Sequence, residues 1–267
     1  MNTASPGRRS ARTRLEALSP LLIVVVLAGA LTLLGVGGAL FVAPPEAGQR
    51  NVADLPEKEK IPARKRVFFD FLRPVVRAEN ERVLEQRRHL KTLLERAGNG
   101  DLSRGDRQWL ERMARRYRVD AEEPAAQARA LLDRVDVIPV SLALAQAALE
   151  SAWGQSRFAR EANNLFGEWC FEPGCGVVPK RRPAGKTYEV EAFDGVGASV
   201  RSYVHNLNSH PAYAELRRIR AGLREQGREP DGYAMAAGLT RYAAIGERYV
   251  EHIRGVIERN HLRADAG

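Results

Sequence analysis

The chain has 267 residues, enough for one or two domains, and 44% of them are hydrophobic, so a packed core is within reach. Its 42 Lys and Arg against 33 Asp and Glu leave a net charge of +9. That excess points to an anionic partner and away from a cationic one, without choosing among nucleic acid, an anionic wall polymer and a lipid surface.

The first 45 residues address the compartment. Arg8, Arg9, Arg12 and Arg14 precede an uncharged run of 23 residues, Leu21 to Ala43, whose only hydroxyl is Thr32. As a helix it would reach about 34 Å, enough for a hydrocarbon core. A cleaved signal peptide is the competing reading. Its apolar region is ordinarily only about 7–15 residues, and Ala-Pro-Pro after Val42 makes a poor cleavage site. The arginines before the span predict a cytoplasmic N-terminus (1–20), an anchor (21–43) and a soluble part on the far side of the inner membrane.

Residues 44–63 read as a polar, proline-bearing linker. From Arg64 to Arg96, apolar residues recur at steps of three and four, which predicts a helix that Pro74 should kink or interrupt. Gly98 and Gly100 stop it, and Ser103 or Asp106 is placed to cap the next helix. Another helix follows Pro124. The run "PVSLALAQAALESAWG" predicts a buried helix ended by Gly154. Between 167 and 193 glycine and proline punctuate the chain, and "KTYEVEAF" alternates like a strand. Helices then resume to the C-terminus. The expected fold is mainly α, with a 64–134 helical extension ahead of a 135–262 domain.

Cys170 and Cys175 stand five apart. In an oxidising compartment they read as a small-loop disulfide, with free thiols as the alternative; a metal site would need more ligands. Neither a metal nor another cofactor is expected.

Glu150 sits at the end of the apolar run, three residues before Trp153. If the helix continued through Trp153, the two would share a face, with Gln146 on the same side. An indole against a carboxyl raises its pKa and helps it stay protonated near neutral pH. Glycosidic cleavage needs such a group, because the leaving oxygen must receive a proton. An ordinary solvated helix-end glutamate is the plainer alternative.

The stretch "ALESAWGQSRFAREANNLFG" resembles the glucosaminidase superfamily of bacterial peptidoglycan hydrolases, through ALES-x-WG-x-S followed by NNLFG. Within it the chain is most similar to the bacterial Bax family. "NNLFGEWC", "SVRSYVHNLNSHPAY", "LTRYAAIGERYVEHI" and the "FFDFLRPVVRAENERVLEQRRHL" segment extend the likeness from about Arg64 to Leu262.

The resemblance implies a lysozyme-like helical fold with a small β-hairpin lobe, and Glu150 as general acid. It implies that Asn164, Leu165, Phe166 and Gly167 shape the cleft. Trp153, Asn163, Asn164 and Phe166 become candidates for substrate contact, and Tyr242 for lining the site. Related enzymes often carry a second acid on the lobe. Here Glu168, Glu172, Glu189, Glu191 and Asp194 are available, with Glu191 favoured, Glu189 in reserve, and assistance by the substrate's own N-acetyl group as the alternative. Lys180, Arg181, Arg182 and Lys186 suit the carboxylates of a peptidoglycan partner.

The expectation is therefore a membrane-anchored, cofactor-free hydrolase of the β-1,4 bond after N-acetylglucosamine. A non-catalytic wall-binding or scaffolding protein is the first rival. A nucleic-acid binder is the second, disfavoured because the expected topology puts the basic helices outside the cytoplasm.

Overall fold

The computed structural model describes residues 49–56 and 61–265, all within one compact unit. The expected membrane span lies outside the described residues, as do 44–48 and 57–60 of the expected linker. Among the described residues no helix is long and apolar enough to cross a membrane.

Helix α1 (Ile61–Gly98) runs through Pro74 without the interruption that was one of the two expected outcomes, the other being a kink. Proline removes one amide donor from the ladder, but Phe68, Leu72, Val75 and Val76 around it are all buried. Tertiary packing thus outweighs the local penalty. The neighbouring carbonyl of Phe71 accepts a bond from Arg50 Nη1 at 3.1 Å. Helix α2 (Arg104–Tyr117) is opened by Ser103, whose hydroxyl accepts from the Asp106 amide while the Asp106 carboxylate accepts from the Ser103 amide. Both candidate residues therefore act, as a reciprocal capping box. Helix α3 (Pro124–Arg134) places Pro124 in its first turn, where a missing N–H costs nothing.

Helix α4 (Val140–Glu150) is buried from Val140 to Ala148. It is followed by the short α5 (Arg157–Ala162) and by the lobe strands β1 (Trp169–Cys170), β2 (Gly176–Val177) and β3 (Glu189–Glu191). Then come α6 (Val196–Ser209), α7 (Ala214–Glu225), α8 (Gly232–Met235) and α9 (Glu247–Arg259). One apolar core joins Leu72 and Leu90 of α1, Leu142 and Leu144 of α4, Val200 of α6 and Ile253 of α9. The N-terminal helices and the glutamate-bearing helix thus share a core.

The lobe is a three-stranded antiparallel sheet in the order β1–β3–β2, rather than a simple hairpin. Trp169 opposes Val190 and Gly176 opposes Glu191. Gly176 must be glycine: a Cβ there would stand 1.9 Å from the Val190 carbonyl oxygen.

Arg220 on α7 is 1% exposed and organises the connection between α3 and α4. Its Nη2 donates to the carbonyls of Asp133 and Arg134 at the end of α3. Its Nη1 donates to the carbonyls of Asp136 and Val137 and to Asn208 Oδ1. Helix-end carbonyls lack intrahelical donors, so one guanidinium both caps α3 and fixes the start of α4. The Asp136 carboxylate is held by Arg224 at 3.1 Å and by Arg87 at 3.7 Å. Burial alone would raise its pKa, but the surrounding guanidinium groups outweigh burial and keep it below the usual value.

Candidate active site

Glu150 is the last residue of α4, half-buried at the end of an otherwise buried helix. The helix stops there instead of running to Gly154. Ser151 Oγ bonds back to the Ala147 carbonyl and accepts from the Gly154 amide. Ala152, Trp153 and Gly154 then all take positive φ, at 50°, 54° and 75°. The left-handed region costs a non-glycine residue roughly 1–2 kcal/mol, so packing must hold this turn. A Cβ on Gly154 would lie 2.9 Å from Leu55 Cδ1 and 3.4 Å from Phe68 Cδ2, which shows how closely α1 and the segment before it press on the turn.

Trp153 consequently leaves the helix and the face it was expected to share with Glu150. Its indole lies under the Lys65 ammonium, 4.9 Å from the ring centroid, in a recess lined by Leu55, Val67 and Phe68.

The polar surroundings of Glu150 come from distant parts of the chain. Tyr249 on α9 donates its hydroxyl hydrogen to Glu150 Oε1 at 2.7 Å. Gln146, one turn before Glu150 and fully buried, donates from Nε2 to the Tyr249 oxygen at 3.1 Å. Tyr203 on α6 donates to Gln146 Oε1 at 2.7 Å. Tyr242 stacks on Tyr249 with ring centroids 5.3 Å apart, and Tyr213 follows at 5.9 Å from Tyr242. Burial pushes the Glu150 carboxyl above the ordinary carboxylate range; the Tyr249 hydrogen bond works in the opposite direction without cancelling it.

The NNLFG turn stands against the other carboxyl oxygen. A Cβ on Gly167, whose φ is +71°, would be 3.6 Å from Glu150 Oε2. Tyr242 donates to the Phe166 carbonyl at 2.8 Å, so this phenol holds the turn in place. Phe166 is buried and stacked on Tyr203 at 3.9 Å. Asn164 is buried; its Nδ2 donates to the carbonyls of Glu168 and Glu191, and its Oδ1 accepts from the Glu168 amide. Asn163 bridges the Val52 amide, Asn51 and the Phe193 carbonyl. Asn163, Asn164 and Phe166, three of the four side chains expected at the substrate, thus have partners inside the protein and shape the turn. A side chain that satisfies several backbone groups from a turn gives no periodic signal in sequence.

The two favoured lobe acids separate. Glu189 is 6% exposed and accepts from the amides of Gly174 and Gly176, with Arg182 3.8 Å away. Those amides lower its pKa, and its carboxylate fixes the lobe. Glu191 is half-buried, and burial raises its pKa. The strongest perturbation falls on Glu168, raised to about 8 by burial, against a hydrogen bond from Ser202 and with a further upward push from Glu191. Its Oε2 is buried without a partner. Glu168 is only one of five lobe acids in the sequence, and nothing in the sequence singles out Tyr249. Only the tertiary contacts single them out.

Cys170 and Cys175 are disulfide-bonded, Cα atoms 6.2 Å apart, at the junction of β1 and β2. By the loop-entropy estimate the bond contributes about 2 kcal/mol. Intact-mass measurement without reductant should give a mass two hydrogens below that of the reduced chain. Two alkylatable thiols in the native protein would contradict the pairing. Lys180, Arg181 and Lys186 are exposed on this lobe, whereas Arg182 folds back onto the carbonyls of Thr187 and Tyr188.

Comparison with known proteins places the sequence in a family. A family model described as glucosaminidase, mannosyl-glycoprotein endo-beta-N-acetylglucosaminidase, matches residues 125–262. The chain is 34% identical over 227 residues to Protein bax of Escherichia coli (strain K12), covering 82% of this chain and 80% of that protein. No solved structure matches it. With the family model spanning Glu150, the NNLFG turn, the lobe and the tyrosine column, the chain belongs to the Bax-like glucosaminidase family.

Proposed function

We propose that the protein is a peptidoglycan hydrolase that cleaves the β-1,4 bond after N-acetylglucosamine by general acid catalysis from Glu150. The observation that carries this reading is a half-buried carboxyl with an elevated pKa at the end of a buried helix, one oxygen held by Tyr249 and the other facing the exposed Gly167. A carboxyl that holds its proton above the ordinary carboxylate range can deliver it to the leaving oxygen as the glycosidic bond breaks. Glu191 is the proposed second carboxylate. Burial raises Glu168 to about 8 and also raises Glu191, but by less, so Glu191 is the readier of the pair to ionise and to activate water or steady the developing positive charge. Glu189 is engaged with the lobe amides, and Tyr242 positions the turn. Lys180, Arg181 and Lys186 offer a cationic border for the carboxylates of the peptide stems.

In this reading residues 21–43 anchor the chain in the inner membrane with the catalytic domain outside the cytoplasm. Protease added to spheroplasts should then degrade the domain and spare a cytoplasmic control; a protected domain would sink the topology.

The function is tested by incubating the detergent-solubilised full chain with purified sacculi. Release of soluble glycan fragments supports hydrolysis. Co-sedimentation with sacculi and no release would favour the wall-binding alternative instead.

A further inference from the structure

The hydrogen-bond chain behind Glu150 has a direction, and the direction selects one carboxyl oxygen. Tyr203 donates to Gln146 Oε1. That engages the acceptor end of the amide and leaves Nε2, which can only donate, facing Tyr249. The Tyr249 oxygen accepts that hydrogen, so its own hydrogen is free to point at Glu150 Oε1. An oxygen already accepting along this line is a poor place for the carboxyl's proton, which goes to Oε2. Oε2 is the oxygen beside Gly167, where there is no side chain to intervene.

We infer that Tyr249, aligned by Gln146 and Tyr203, is a positioning residue that keeps the transferable proton of Glu150 on Oε2, toward the Gly167 turn. The inference rests on the reading of Glu150 as general acid. It adds which oxygen carries the proton and which residues decide it. Three turns of structure far apart in sequence converge to do this, from α4, α6 and α9, and all but Glu150 are buried.

The other titratable groups facing Glu150 are Tyr203 from α6, Tyr213 ahead of α7, and Tyr242 from the segment before α9. Burial raises all three phenols, Tyr213 to about 12 and the others well above their ordinary value. Each stays neutral wherever Glu150 titrates, so Tyr249 is the group whose removal changes the hydrogen bonding of that carboxyl. The Tyr249 bond favours the ionised form. Without it the carboxyl binds its proton more tightly and is no longer held in one orientation.

The test is Tyr249→Phe in the full chain, with Gln146→Met as a second variant that keeps the phenol but loses its alignment. The Glu150 carboxyl is titrated directly by carbon-13 NMR, assigned by the signal missing in Glu150→Gln, and hydrolysis of purified peptidoglycan is followed against pH. In Tyr249→Phe the carboxyl titration and the alkaline limb of the rate profile should both move to higher pH. On the plateau kcat should fall about tenfold or more through misorientation, with KM little changed. Gln146→Met should lower kcat in the same sense by a smaller factor. A Glu150 titration unmoved or moved to lower pH in folded Tyr249→Phe overturns the inference, as does an unchanged plateau kcat in both variants. If the NMR titration rises while the rate profile stays put, Tyr249 does tune Glu150, and the general-acid reading of Glu150 is what fails.

Discussion

Glu150→Gln should reduce hydrolysis of purified peptidoglycan by at least about 10²-fold, in line with general acid contributions of about 10²–10⁴-fold. The amide keeps the shape of the carboxyl and can still accept from Tyr249 at one atom, but it has no proton to give the leaving oxygen. Thermal stability should not fall, because on folding at neutral pH a carboxyl with a raised pKa must take up a proton or bury a charge, and an amide does neither. The elevated pKa of Glu150 has a burial origin. In the wild type, activity should therefore persist above the ordinary carboxylate range and decline on the alkaline side as Glu150 loses its proton. The measurement is initial rate of fragment release for both proteins across pH, with a melting curve for each. A folded Glu150→Gln protein retaining near wild-type rate would move the function to the wall-binding alternative.

Arg220→Ala should produce the largest loss of stability. Truncation strips donors from four backbone carbonyls and from Asn208 Oδ1, around a guanidinium that is itself buried. Hydrogen bonds from charged groups contribute about 1.5–3 kcal/mol each but do not sum, and a buried acceptor left unpaired costs about 1–3 kcal/mol. A net loss of about 3–5 kcal/mol follows, at the top of the range for single substitutions. For a protein of this size each kcal/mol is roughly 2–4 °C, so the melting temperature should drop by about 6–20 °C. Arg220→Lys restores a charge without the planar fork and should recover only part of the loss. Because the same guanidinium fixes the start of α4, the helix that ends at Glu150, activity should fall in parallel with folded fraction. A melting temperature within about 2 °C of wild type for Arg220→Ala would contradict this assignment.

What could be read from the sequence follows the range of the interactions involved. The helices were legible because their apolar spacing is local, and so was the Ser103 cap, which needs only a hydroxyl and an acid three residues on. Glu150 stood out because a charge at the end of an apolar run is locally anomalous. The end of its helix was not legible. Nothing in "ESAWG" announces three consecutive left-handed residues, and the contacts that enforce them come from Leu55 and Phe68, about a hundred positions earlier. Trp153 was displaced for the same reason. Tyr249 reaches Glu150 across 99 residues, and its spacing on α9 looks like that of any core aromatic. The alternation in "YEVEAF" identified a strand, but not that one glutamate would be absorbed by the amides of Gly174 and Gly176.

If Glu150 breaks a glycosidic bond, new chain ends form, and their chemical identity is the most direct measurement of that step. Purified peptidoglycan is digested with the full chain, reduced with borohydride and analysed by mass spectrometry, with Glu150→Gln in parallel. The wild type should give new ends bearing reduced N-acetylglucosamine, and Glu150→Gln none above background. New ends bearing reduced N-acetylmuramic acid would contradict the proposed bond. An unchanged glycan, or equal ends from both proteins, would contradict catalysis by Glu150 altogether.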